Sequence, residues 1–110
     1  MAKFVFFFSY SPDAWNRLVM KPQDRTSVVR NALEQHGGRL EALYYMFGGQ
    51  DGMVIFDAPD SRSAAALSLA VTSSGAFTHH ETRELITPAE LVEVLEKAGA
   101  TAQSYVRPGD

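Results

Sequence analysis

The run Phe4-Val5-Phe6-Phe7-Phe8 constrains this chain more than any other segment. It has no helical periodicity, and in an extended strand alternate residues point to opposite faces. Phe4, Phe6, Phe8 and Tyr10 then lie on one face, and Val5, Phe7 and Ser9 on the other. A strand from Lys3 to Tyr10 that is apolar on both sides belongs in the middle of a covered sheet. The run is far shorter than the ~20 apolar residues a membrane-spanning helix needs. It also lacks the ~7–15-residue apolar region and small-residue cleavage site of a signal peptide. The expected location is the cytoplasm, with no membrane partner.

The remaining segments arrange themselves around this strand. Ser11-Pro12-Asp13 opens a helix with a capping Ser, a Pro at the first helical position and an acid in the first turn. Trp15, Leu18 and Val19 form its apolar stripe, and Pro22 breaks it near Lys21. Helical spacing resumes from Arg25 to His36 and stops at Gly37-Gly38. Arg39 to Phe47 and Met53 to Ala58 are strands joined through Gly48-Gly49-Gln50-Asp51-Gly52, and Asp-Gly between apolar runs predicts an antiparallel hairpin. In the first of these, alternation groups Tyr44 with Leu40 and Ala42, and Tyr45 with Leu43. Asp60 caps a helix rich in alanine that stops at Ser73-Ser74-Gly75. Phe77 to Ile86 is a polar strand, expected at a sheet edge. Thr87-Pro88-Ala89-Glu90 is a capping box that opens a last helix ending at Gly99. In the tail, Gln103 to Val106 has the pattern of a short strand.

The order β-α-β-β-α-β plus a final helix is the split β-α-β pattern: an α+β, ferredoxin-like antiparallel sheet with an additional C-terminal helix. One domain over residues 1–99 and a tail over 100–110 account for the 110 residues, since domains usually hold ~100–150. A formal charge of −3, without a Lys/Arg cluster, argues against a nucleic-acid partner. The absence of cysteine excludes disulfides, thiolate catalysis and cysteine-based metal centres. Helices in this topology cover one side of the sheet only. The other side would carry large apolar residues, a patch bigger than monomers usually expose. Either a second copy covers it, making a homodimer or higher homo-oligomer, or the C-terminal helix folds back over it. Self-association is the expected solution.

Gly37-Gly38, Tyr44, the hairpin Gly48-x-x-Asp51-Gly52-Met53-Val54, Ala58-Pro59-Asp60, Ala64-Ala65-Ala66-Leu67, Ser74-Gly75 and Glu81-Thr82 occur in an order and spacing that resembles the GYD domain family. The resemblance runs from about Phe4 to about Glu90. The family consists of small bacterial and archaeal proteins, mostly without an assigned activity. Its name comes from a Gly-Tyr-Asp tripeptide, which here reads Gly49-Gln50-Asp51, with Gln50 in place of the Tyr. The resemblance implies a ferredoxin-like fold and a dimeric α/β-barrel type of assembly. That wider group includes cofactor-free monooxygenases, isomerases, haem enzymes and effector-binding domains, among which fold alone does not choose.

Three residues are candidates for catalysis: Asp51, His79 and His80. Asp51 beside Tyr44 or Tyr45 has the chemistry of a base, yet an Asp before Gly serves turns equally well by bonding backbone amides. His79 and His80 are adjacent on a strand and so point to opposite faces. Either pairs with at most one acid or hydroxyl on its own face, short of the three protein ligands of a catalytic zinc, so no metal and no cofactor are expected. Tyr10, Trp15, Tyr44 and Tyr45 are aromatics suited to the wall of a small-molecule site. Arg25 and Arg83 have the charge to meet an anion, or simply to pair with neighbouring acids at the surface. There is no phosphate-cradling glycine loop and no nucleophile elbow. The best reading is a small homo-oligomer that binds a small, partly apolar organic molecule as a sensor, carrier or accessory protein. The alternatives are a cofactor-independent monooxygenase or isomerase, which needs Asp51 or a His inside a cavity, and an interaction module with no cavity.

Overall fold

A computed structural model describes all residues, Met1–Asp110. The elements are β1 (Ala2–Tyr10), α1 (Pro12–Met20), α2 (Thr26–Gln35), β2 (Arg39–Tyr45), β3 (Gly52–Ala58), α3 (Ser61–Thr72), β4 (Phe77–Leu85) and α4 (Pro88–Ala102). The four strands form one antiparallel sheet in the order β2-β3-β1-β4. The apolar β1 is central and the polar β4 lies at an edge, as their compositions predict. This is the ferredoxin-like fold.

The helix termini follow from local chemistry. The Ser11 hydroxyl accepts from the Ala14 N–H, and the Asp60 carboxylate accepts from the Ser63 N–H. At α4, the Thr87 hydroxyl accepts from Glu90 N while the Glu90 carboxylate accepts from Thr87 N, a complete capping box. The chain leaves α2 through Gly37 at φ 72°. There Gly38 N donates to Leu33 O and Gly37 N to Glu34 O, the paired bonds of a Schellman ending. Between α1 and α2, Pro22 breaks the helix and the Asp24 carboxylate accepts from the Thr26 N–H.

Residues paired across strands share a face. Phe4, Phe6 and Phe8 on β1 stand opposite Phe56, Val54 and Gly52 on β3, and opposite Glu84, Thr82 and His80 on β4. This inner face packs against α2 and α3: Phe4, Phe6, Phe8, Leu33, Val54, Phe56, Ala58, Ala64 and Leu67 form the buried core. The Ser68 hydroxyl sits 2.6 Å from that of Thr82, tying α3 to β4, and donates back to Ala64 O within its own helix.

Three sequence expectations change. The alternation read along β2 fails because the register shifts between Leu40 and Ala42. The extra residue, Glu41, returns Leu40 and Leu43 to the same face, so Leu43 and Tyr45 point toward the helices and Tyr44 points away. The helix expected to end at Gly99 continues to Ala102, because an interior glycine costs about 1 kcal/mol without ending a helix. Gln103 to Val106 forms no strand.

The outer sheet face carries Val5, Phe7, Met53, Ile55 and Tyr44, flanked by ion pairs: Lys3 with Glu41 at 3.0 Å and with Asp57 at 3.2 Å, and Arg83 with Glu81. The C-terminal helix does not fold back over this face. Every residue of α4 is exposed, and the molecule is 59 Å along its longest axis. None of its helices is long and apolar enough to cross a membrane.

Candidate functional site

Between the inner sheet face and helices α2 and α3 lies a cavity of about 260 Å³. Its floor is Phe6, Phe8, Val54 and Phe56, and its walls include Val28, Val29 and Ala32 of α2 and Leu67 and Val71 of α3. The space is apolar because all four strands place large residues here while the facing helices present mostly Ala and Val. Small helical side chains cannot fill the gap above the phenylalanines. Polar residues on the wall are few: Tyr10, Tyr45, Ser68, Ser74 and Arg25, whose guanidinium also donates to the Gln23 side-chain oxygen at 3.0 Å.

The tyrosines belong to an aromatic cluster at the end of β1. Tyr10 and Tyr45 hydroxyls are 3.2 Å apart. Phe77 lies 5.3 Å from Tyr10 and 5.6 Å from Phe8, and Trp15 stands edge-on to Tyr10 at 5.1 Å. Burial, followed by the hydrogen bond to Tyr10, holds the Tyr45 phenol well above its ordinary value, while Arg25 acts in the opposite sense. Tyr45 is therefore a neutral hydroxyl that donates and accepts hydrogen bonds at any ordinary pH.

Asp51 secures this cluster from below. Its Oδ2 accepts from the Tyr10 N–H at 2.9 Å and from the Trp15 indole N–H at 3.0 Å. Its backbone N–H donates to Phe8 O at 2.9 Å, and its carbonyl accepts from Met46 N–H at 2.8 Å. The carboxylate therefore bonds a backbone amide, as a turn Asp does, but one on a different element. Asp51 clamps the β2-β3 loop to the junction of β1 and α1. Next to it, the Gln50 side-chain oxygen is buried without a hydrogen-bond partner in the chain.

The residues singled out from the sequence thus separate. Tyr10 and Tyr45 line the cavity, and Trp15 braces Tyr10 from outside it. Tyr44 is 62% exposed on the outer face. Asp51 and His79 do not border the cavity, and His80 borders only a shallow groove beside α3, together with Glu81 and Thr82. His80 shares the inner face with Phe8, its ring 6.2 Å from that of Phe6; His79, opposite Ser9, points the other way. No cluster of three His, Asp or Glu residues is arranged to hold a metal. Arg25, Phe77, Val28 and Leu43 line the cavity although no motif marks them. Leu43 was legible only through the β2 bulge, and Phe77 only through the pairing of β4 with β1.

A sequence profile for the GYD domain matches residues 4–95. This chain belongs to the GYD domain family. Among solved structures, the GYD chain is similar to 30S ribosomal protein S6 from Thermotoga maritima, with a TM-score of 0.54 and 16% identity over 93% of this chain and 97% of that one. It also overlaps MupZ from Pseudomonas fluorescens, with a TM-score of 0.41 and 13% identity over 99% and 96% of the two chains. At such identities the S6 likeness bears on fold alone. No curated protein matches the chain. Of the tripeptide that names the GYD family, this chain keeps the Gly and the Asp, and that Asp is the residue clamping Tyr10 and Trp15.

Proposed function

We propose that this GYD protein binds a small, largely apolar organic molecule bearing one anionic or hydrogen-bonding group. The cavity carries the reading. Cavities of roughly 150 Å³ accept a benzene ring, and 260 Å³ leaves room for a modestly larger body. Ligand sites are typically apolar with a few placed polar groups. Here those groups are the Tyr10–Tyr45 hydroxyl pair and Arg25, which suit a carboxylate, phenol or enol at one end of an apolar frame. The wall holds no carboxylate and no imidazole, which favours binding over proton-transfer chemistry. An interaction module would have no cavity.

The test is a thermal-shift and fluorescence titration with anilinonaphthalene sulfonate and a panel of aromatic and branched aliphatic carboxylic acids. The expected result is a saturable rise in melting temperature for at least one compound, removed by Val28→Trp, which fills the cavity from its half-exposed rim. Arg25→Leu should weaken anionic members of the panel about tenfold and leave neutral analogues unchanged. A wild-type protein indifferent to the whole panel, or a Val28→Trp variant that binds as well as wild type, overturns the proposal.

A further inference from the structure

Helix α4 is a well-made helix packed against nothing. Its N-terminus carries the complete capping box. Leu91, Val94, Leu95 and Ala98 recur at the i, i+3, i+4, i+7 spacing of a buried stripe, with Glu90, Glu93, Glu96 and Lys97 opposite. A stripe of this kind normally faces a core, yet Leu91, Val94 and Leu95 are 42%, 47% and 58% exposed. Half of the large apolar residues that the molecule exposes lie at or beyond Leu85.

The amount of exposed surface says what kind of partner is missing. A compact monomer of this mass exposes about 6,000 Å². This chain exposes 7767 Å², a surplus of roughly 1,700 Å² over that expectation. Its radius of gyration is 17.8 Å, where a compact chain of this length has about 13 Å. Two such surpluses together reach about 3,500 Å², within the ~2,000–5,000 Å² that obligate homodimers bury. The chain also holds a second unpartnered apolar surface, the outer sheet face with Phe7, Met53, Ile55 and Tyr44. A helix with an apolar stripe and a sheet with an apolar face complement each other.

We infer that α4 is an arm that docks on the outer sheet face of a second copy of this chain, each copy giving its arm and receiving the other's. The arrangement is isologous, so one pair of contacts made twice closes the assembly. A lipid surface is the less suitable occupant: helices that lie on membranes carry Lys and Arg on the polar face, and here that face holds three glutamates and one lysine. The inference is independent of the cavity, whose wall contains no residue of α4.

Light scattering of the full chain in about tenfold steps from about 1 to about 100 μM should give twice the 12.1 kDa of one chain. Leu91→Glu with Leu95→Glu should give single chains that keep the cooperative urea unfolding of the core, since neither side chain belongs to it. On the receiving face, Tyr44→Glu should raise the dissociation midpoint at least tenfold. Wild type that stays a single chain at every concentration overturns the inference, as does a dimer that survives the two glutamates on α4 or is indifferent to Tyr44→Glu. Association of the wild-type chain with phosphatidylglycerol vesicles in place of self-association overturns it too.

Discussion

At the scale of single residues, Asp51 and Gly52 show how adjacent positions serve different ends. Asp51 satisfies two donors, so Asp51→Ala leaves the Tyr10 N–H and the Trp15 indole N–H without their partner. A lost hydrogen bond to a charged acceptor costs about 1.5–3 kcal/mol. Urea denaturation should register a loss in that range. The emission of Trp15, the only tryptophan, should shift to the red, whereas Asp51→Asn, which retains an acceptor oxygen, should lose less. Gly52 begins β3 beneath a ring: a Cβ there would stand 2.3 Å from Phe8 Cζ. Gly52→Ala should therefore cost about 1–3 kcal/mol through overpacking, measurable as a lower denaturation midpoint. Tyr45 supplies a pH dependence. Its phenol holds its proton more tightly in the folded chain than the ordinary value of 10.0. The stabilisation is complete below that value and is lost as pH rises beyond it. In an alkaline titration followed by tyrosinate absorbance, one phenol should ionise late, and Tyr45→Phe should remove that step.

At the scale of elements, the helix caps rest on carboxylates. Hydrogen bonds from Ser63 hold Asp60, and those from Thr87 hold Glu90, below their ordinary values of 3.8 and 4.5. A folded-state pKa below the unfolded one contributes stability above the unfolded value, and that contribution disappears as pH falls through the folded value. Far-ultraviolet circular dichroism should thus show α3 and α4 fraying as pH drops below about 4. Helix α4 should respond most to Thr87→Ala, at about 1 kcal/mol. Its exposed residues lend it no tertiary packing, and isolated helices of ~12–15 residues are marginal. Single-residue chemistry made every one of these caps legible in the sequence: Ser11, Asp60, Thr87 with Glu90, and Gly37. The same reasoning misplaced Tyr44, because a bulge leaves no local mark. Glu41 is inserted only in relation to the strand across from it, and one inserted residue reverses the facing of everything before it.

At the scale of the whole molecule, the sheet separates two apolar surfaces with different consequences. The inner one is covered by α2 and α3 and retains a cavity that opens at the rim beside Val28 and Tyr45. The outer one is flanked by ion pairs and meets no helix of its own chain. Filling the cavity by Val28→Trp and loading α4 with Glu should have separable effects, the first on small-molecule binding and the second on mass in solution. The positions of Asp51, His79 and His80 belong to this scale as well. Each has reactive chemistry when read alone, but the sheet register sends His79 outward and His80 to the groove beside α3, while Asp51 is engaged beneath the aromatic cluster.

What the amino-acid order determined by itself was the eight elements, the caps at Ser11, Gly37, Asp60 and Thr87, the central place of β1 and the edge place of β4, but not the end of α4 at Ala102 or the strandless tail beyond it. Each depends on interactions a few residues long or on the alternation of one strand. Only the tertiary structure decided which face of the sheet the helices cover, that Tyr10, Tyr45 and Arg25 converge on one cavity, and that α4 stands apart. Those outcomes depend on the register between strands far apart in sequence and on the volume left when small helical side chains meet large aromatic ones, and neither quantity is a property of any single segment.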